Sequence, residues 1–434
     1  MDTNNNTVIF NIRKLGAITN STLNLKKFMV FSGESGLGKS YTTFLIHYLY
    51  VLLTGDRLDK FFLSRNIDFE DIGKDPNDGT KSHSLYLSDL QNWIKDDVII
   101  YLRFLLGDDQ LEGDIDIEFP TVEKQFSFKR SDEIISIGNK TEIYNVLSIN
   151  DDKTIRIPQA SHKWGTIPLT LLLSTYLSSK VLKDSNIMST FLLPPSRGGL
   201  VGLGSTGKAA AMSSAGMYQE FLQNMDEIEA PNVYLKKSTS SQDVLPIIKK
   251  IINGEVEKED NKLYYVINKS DRIPISAAAS SVKELTPIFL LLKNGILERY
   301  SILFEEPEAH LHPSMQVKLA EALVFLLNNG THFQITSHSD YFLRKINDFI
   351  KLHKLKLSLP EEEYVSKCDE LGFNHKITLD PNDVGAFLLK RNSDGSVKII
   401  EQNVESGVPF DTFKDILNKD VINSIHLADL IEEL

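Results

Sequence analysis

An α/β fold with a mixed sheet at its core is predicted by three short apolar runs, each ending in polar residues. Residues 27–31 lead into a glycine-rich turn at 32–40 and then into a helix-like segment over 41–53. Ile302-Leu303-Phe304 ends in two adjacent carboxylates, Glu305 and Glu306. Residues 332–336 run into Ser337-His338-Ser339. Short apolar runs with abrupt polar ends are the pattern of buried parallel strands, whose carboxyl ends open onto a crevice.

Size and composition allow such a core. The chain has 434 residues, 41% hydrophobic and 24% charged, enough for two or more domains or one domain with insertions. Its one cysteine, Cys368, excludes an intrachain disulfide and suits a reducing, cytoplasmic setting. The N-terminus lacks a basic segment followed by an apolar one, so no signal peptide is expected. No apolar run approaches the roughly 20 residues that span a bilayer, so no membrane association is expected. The net charge of -12 opposes constitutive duplex binding, and a local basic groove for DNA stays open.

Taken in order, residues 8–12 read as a strand before the run at 27–31. Residues 55–85 are polar and read as a surface excursion, and 89–106 have helical apolar spacing. Short alternating runs at 124–129, 134–137, 143–149 and 154–157 predict an antiparallel β insertion. A helix is expected over 167–182, with Pro168 tolerated in its first turn, and a buried strand over 187–193. A small-residue stretch at 196–216 reads as a loop. Helices at 217–225 and 243–252, a strand at 262–268, and a Ser/Ala-rich turn passing into a helix over 273–293 follow. Beyond the paired acids come a helix at 315–327, the 332–336 strand, a helix from Asp340 and a polar linker at 359–381. A hairpin (386–390, 396–400) and an amphipathic helix complete the chain. The divisions expected are an N-terminal lobe (1–54), a helical and antiparallel β insertion (55–165), a C-terminal lobe (166–358) and a hairpin/helix region (359–434).

Gly33-Glu34-Ser35-Gly36-Leu37-Gly38-Lys39-Ser40 fits the phosphate-binding pattern G-x-x-x-x-G-K-[ST], between a strand and a helix, which is the context that gives the motif meaning. Successive backbone N–H groups wrap a β-phosphate, Lys39 reaches the β- and γ-phosphates, and Ser40 offers its hydroxyl to Mg²⁺. A second G-x-x-x-x-G-K, Gly202 to Ala209, lacks the terminal hydroxyl and reads as a flexible loop. Given a phosphate cradle, Glu305 fits the carboxylate that supports Mg²⁺, and Glu306 the group that polarises the attacking water. His338, past the neighbouring strand, is placed to reach a γ-phosphate or its water. His310 and His312, two apart, read more simply as loop residues than as a metal pair.

The order of P-loop, Ser-rich turn, EEPEAHLHP and ITSHS resembles the ABC-type ATPases related to RecF, the SMC-like repair ATPases and the OLD proteins. The compact OLD-like ATPases of bacterial antiviral systems are the nearer match, and among these the ATPase subunits of two-gene PARIS-type systems. The resemblance implies that ATP sits between two subunits, the P-loop of one completed by a Ser-rich turn of the other. The matching turn includes Ser280 and Ser281, with no glycine after them, and Glu305 stands where Asp is commoner. It further implies Glu306 as general base, His338 as switch histidine and residues 307–313 as the loop that crosses to the second subunit. OLD nucleases append a Toprim domain. The segment after His338 is short for one, and no later strand ends in D-x-D, so no nuclease is expected in this chain. A homo-oligomer of ABC-type dimers, a hexamer, would then hold a separate Toprim-like nuclease effector and release it when a viral anti-restriction protein is sensed. The rival reading is a RecF- or SMC-like clamp that binds DNA in repair.

Overall fold

The computed structural model describes residues 8–409 and 411–432, apart from 74–82, 138–139, 160–161, 184, 204, 213–214, 230–238, 261, 269–270 and 296. The described residues open with a hairpin, β1 (Ile9–Leu15) and β2 (Ile18–Asn24), turning at Gly16 with φ of 56°. β2 was not legible as a strand: its inward positions include Ser21, and Asn20 is left-handed, so the apolar alternation is broken. β3 (Phe28–Gly33) and α1 (Lys39–Thr54) follow, joined by the glycine-rich turn.

Residues 55–85 are more than a surface excursion. α2 (Leu58–Ser64) buries Leu58, Phe61 and Phe62, and β4 (His83–Tyr86) begins the second sheet. Each fully buried aromatic side chain contributes on the order of 1.5–3 kcal/mol, which outweighs the polar surroundings that hid the helix. α3 (Leu87–Leu106) leads to β5 (Gly113–Glu118), which pairs antiparallel with β1 and so lies in the main sheet. The runs at 124–129 and 134–137 are one strand, β6 (Gln125–Ile137), paired with β7 (Lys140–Ile149), which pairs with β8 (Lys153–Pro158). Polar residues in the middle of β6 had read as a turn.

α4 (Ile167–Val181) and β9 (Ser189–Leu193) match the expected helix and strand. The small-residue stretch beyond them is helical: α5 (Arg197–Val201) and α6 (Ser205–Met212) precede α7 (Gly216–Glu229). The second G-x-x-x-x-G-K therefore forms no phosphate-type loop; Lys208 lies on α6 and pairs with Asp226 at 3.2 Å. After α8 (Thr239–Ile252), a small antiparallel sheet of β10 (Glu255–Glu259), β11 (Lys262–Asn268) and β12 (Asp271–Pro274) leads to α9 (Ser280–Asn294). β13 (Tyr300–Glu305), α10 (Pro313–Asn328), β14 (His332–Thr336) and α11 (Asp340–Ser358) follow. The expected linker at 359–381 carries α12 (Glu361–Leu371), seated by buried Tyr364 and Cys368. β15 (Val384–Arg391) and β16 (Val397–Gln402) form the expected hairpin, and α13 (Asp411–Glu432) is the last helix, its described side chains exposed.

Among the described residues the main sheet has nine strands, in the order β5-β1-β2-β16-β15-β3-β14-β13-β9. From β15 to β9 all neighbours are parallel; the β5 side is mostly antiparallel. This is the predicted mixed-sheet α/β fold. Alternate residues of β3 face opposite layers: Met29 and Phe31 pack with α1, α3 and α4, and Phe28 and Val30 with the layer of α7 to α11.

The core also holds a histidine that tests the fold. His332 opens β14, its Nδ1 2.8 Å from the Tyr50 hydroxyl and its Nε2 2.8 Å from the Ser185 hydroxyl. Burial, reinforced by Lys27, pushes its pKa down to about 3 from 6.5. The folded state holds a neutral ring and the unfolded state protonates below 6.5, so the stability is fully present above that pH and is lost as pH falls toward 3. Between pH 7.5 and 5 this one group should remove about 2 kcal/mol. Denaturant titrations of His332→Gln across that range should show a correspondingly smaller acid loss; an unchanged loss would exclude His332 as its source.

Candidate functional site

The strand ends place Ser35 to Ser40, Glu305, Glu306 and His338 around one cleft of about 680 Å³. β3 delivers the glycine-rich turn, and α1 starts at its end with Gly38 as N-cap, φ 92°. Two glycines here are required by space as well as by conformation. A Cβ on Gly33 (φ 132°) would lie 2.5 Å from the carbonyl oxygen of Leu389, and one on Gly38 2.9 Å from Ile18. A Cβ on Gly36 would meet nothing within 4 Å, so the middle of the turn is open. Residues 35–41 form one wall, and residues 14–18 with Asp108 and Gln110 face them.

Lys39 curls over its own loop, Nζ donating to the carbonyls of Gly33 at 3.0 Å and Glu34 at 2.9 Å. Burial lowers its pKa, opposed by Glu305 and Glu306. Ser40 donates to Glu305 Oε2 at 2.8 Å, and Thr43, one turn on, donates to Oε1 at 3.0 Å. Glu305 is buried at the end of β13, and that burial raises its pKa against the two hydroxyls. Each such charged hydrogen bond contributes roughly 1.5–3 kcal/mol.

Glu306 is exposed at the rim. Its backbone is left-handed, φ 46°, anchored by its N–H donating to the carbonyl and hydroxyl of Thr336 at 3.1 and 3.2 Å. A non-glycine residue held so costs about 1–3 kcal/mol and persists only where its surroundings impose it. His338 lines the same cleft. Partial burial and Lys39 lower its pKa, opposed by Glu306, so the ring is mainly neutral at neutral pH.

Three further residues organise this rim. Glu308 is buried; its Oε1 accepts from the Ser337 hydroxyl at 2.9 Å and the His338 N–H at 2.6 Å, which fixes the turn carrying His338. Thr43 completes the setting of Glu305. Arg197, 1% exposed, donates Nη1 to the carbonyls of Glu305 at 2.7 Å and Pro194 at 3.1 Å. The sequence offered a signal for each: a third acid in EEPE, a hydroxyl one turn past Ser40, and a lone arginine in a small-residue stretch.

The structure does not bring Ser280 and Ser281 to the cleft of their own chain. They sit at the N-terminus of α9, Ser280 exposed and Ser281 half-buried, and are absent from its lining. His312 caps α10, its Nδ1 accepting from the Ser314 N–H at 3.3 Å, and among the described residues no cluster of three potential ligands is poised for a metal ion.

The donor set fits Mg-ATP. The turn is open where phosphates would lie, Lys39 spends its protons on carbonyls that a phosphate can replace, and a hydroxyl and a carboxylate already converge beside it. No helix among the described residues is long and apolar enough to cross a membrane.

No curated protein matches the chain. Among solved structures it is similar to an SMC head bound to the C-terminal winged-helix domain of ScpA (11% identity, TM-score 0.38, 92% of this chain and 98% of that one). An SMC head with an extended coiled coil from Pyrococcus furiosus, bound to the C-terminal domain of ScpA, gives 10% identity and a TM-score of 0.38 over 95% and 98% of the two chains. The SMC head from Thermotoga maritima gives 8% and 0.33 over 92% and 99%. Residues 210–343, which carry Ser280, Glu305, Glu306 and His338, match the family model described as AAA ATPase domain, so this part of the chain is similar to ATPase domains of that type.

Proposed function

We propose that the chain is an ABC-type Mg-ATPase that acts as the sensor and regulator of an antiviral system. The observation that carries the ATPase reading is the convergence of Ser40 and Thr43 on buried Glu305, with Glu306 and His338 on the same rim. ATP would lie with its phosphates in the turn of residues 33–40. Lys39 would leave its loop carbonyls for the β- and γ-phosphate oxygens. Ser40 and Glu305 would hold Mg²⁺, which would supply charge neutralisation for the phosphates. Glu306 accepts a proton from a water molecule; the water oxygen bonds to the γ-phosphorus as the bond to the β–γ bridging oxygen breaks, leaving ADP and inorganic phosphate. His338, neutral, hydrogen-bonds the γ-phosphate or that water. Ser280 and Ser281 of a second copy would close over the γ-phosphate, which accounts for their position away from their own cleft.

The defence role rests on the resemblance of EEPEAHLHP and ITSHS to the compact OLD-like ATPases, nearest the PARIS type. In that role a homo-oligomer, a hexamer of ABC dimers in the cytoplasm, would sequester a separate Toprim-like nuclease and release it on sensing a viral protein. Lys39→Ala should weaken ATP binding at least about tenfold and abolish turnover, since it removes the ammonium that would reach the β- and γ-phosphates; unchanged turnover would refute the site. Phage protection that needs both this chain and the nuclease encoded beside it, and is lost with Lys39→Ala, supports the regulator. ATP-dependent, salt-sensitive duplex binding without such protection would favour the repair clamp.

A further inference from the structure

The rim carries a connection that neither nucleotide binding nor the proton transfer requires. Arg197 lies at the start of α5, directly beyond the end of β9, and is 1% exposed. Its guanidinium spans two elements. On one side Nη1 holds the Glu305 carbonyl at 2.7 Å and Nη2 the Glu306 carbonyl at 3.4 Å. On the other, Nε donates to the Glu284 carbonyl at 3.1 Å and lies 3.2 Å from the Glu284 carboxylate. The Gly198 N–H also donates to Glu284 Oε1 at 3.2 Å, and the guanidinium packs 4.6 Å from the Phe304 ring centre. Glu284 is one turn into α9 from Ser280, on the same helical face. The α9 N-terminus and the left-handed Glu306 backbone are therefore linked through one buried side chain.

We propose that Arg197 is a positioning residue that couples the α9 N-terminus to Glu306. Movement of α9 when Ser280 and Ser281 engage a second copy's nucleotide shifts Glu284, and Arg197 passes that shift to the Glu305 and Glu306 carbonyls. Each chain's hydrolytic rim is thereby set by whether its own α9 has closed on a neighbour. The planar five-donor fork suits this task; an ammonium cannot hold two elements in fixed relative geometry. This rests on the reading of Glu306 as the base.

The test compares Arg197→Lys, Glu284→Gln and Gly198→Ala with the unaltered chain, measuring ATP affinity, kcat, KM and melting temperature. Gly198→Ala is the mild variant: its Cβ would lie 2.7 Å from Glu284 Oε1, displacing the flexible end of that side chain. All three should keep ATP affinity within about twofold and lower kcat about tenfold or more. Arg197→Lys combined with Glu284→Gln should be no slower than the slower single variant, because both break one link. Unchanged kcat in Arg197→Lys and Gly198→Ala would overturn the coupling, as would losses of kcat that follow equal losses of affinity and melting temperature. Absence of turnover in the unaltered chain would remove the hydrolytic reading beneath it, and the control assay alone distinguishes that case.

Discussion

Glu306→Gln should bind Mg-ATP as tightly as the unaltered chain while turnover falls about 10²–10⁴-fold, the usual weight of a positioned general base. The substitution preserves the shape of the side chain and leaves the backbone anchors at Thr336 in place, since both are made by the main-chain N–H. What disappears is the capacity to take a proton, together with the negative charge that Glu306 sets near Lys39 and His338. Because the γ-phosphate then remains, oligomers held together by bound ATP should accumulate, visible by light scattering as an ATP-dependent rise in mass. Turnover within twofold of the unaltered chain would remove Glu306 from the base role.

Glu305→Gln should act differently, by loss of Mg²⁺-dependent nucleotide binding. Glu305 is buried, and both carboxylate oxygens accept a hydroxyl, from Ser40 and from Thr43. A glutamine presents one acceptor and one NH₂ group, so one hydroxyl loses its acceptor and the negative charge beside Ser40 is gone. ATP affinity measured with Mg²⁺ should fall about 10–100-fold, while affinity in excess chelator, which Lys39 and the loop N–H groups carry, should change little. Equal losses in both conditions would mean that Glu305 supports the loop and not the ion.

The parts of the molecule most legible in sequence were those where local pattern and function coincide. Phe28-Met29-Val30-Phe31 before the glycine-rich turn, and Ile302-Leu303-Phe304 before Glu305, are buried on both faces and so read as unbroken apolar runs. α2 and α12 were hidden because each buries only a few side chains within polar stretches. The small residues of 196–212 read as loop from composition, yet buried Arg197 and Gly198 anchor a helix against Glu284. Arg197 and Glu308 act through contacts about 110 and 30 residues away along the chain, with Glu305 and His338 as their respective targets, and no spacing rule reveals such pairs. Ser280 was singled out by resemblance, not by spacing, and it lies outside the lining of its own cleft.

The seat of β15 has a consequence for how the molecule is made. It lies between β3 and β16, and Leu389 meets Gly33 in register, its carbonyl against the glycine where the phosphate turn begins. A ribosome that has synthesised the first 380 residues has delivered every candidate catalytic side chain, yet the strand flanking the P-loop is still missing. β3 stands until then as an open edge of apolar backbone. The cradle is completed by a strand that follows its own turn by about 350 residues, so nascent chains should gain nucleotide-binding competence abruptly, once β15 has emerged.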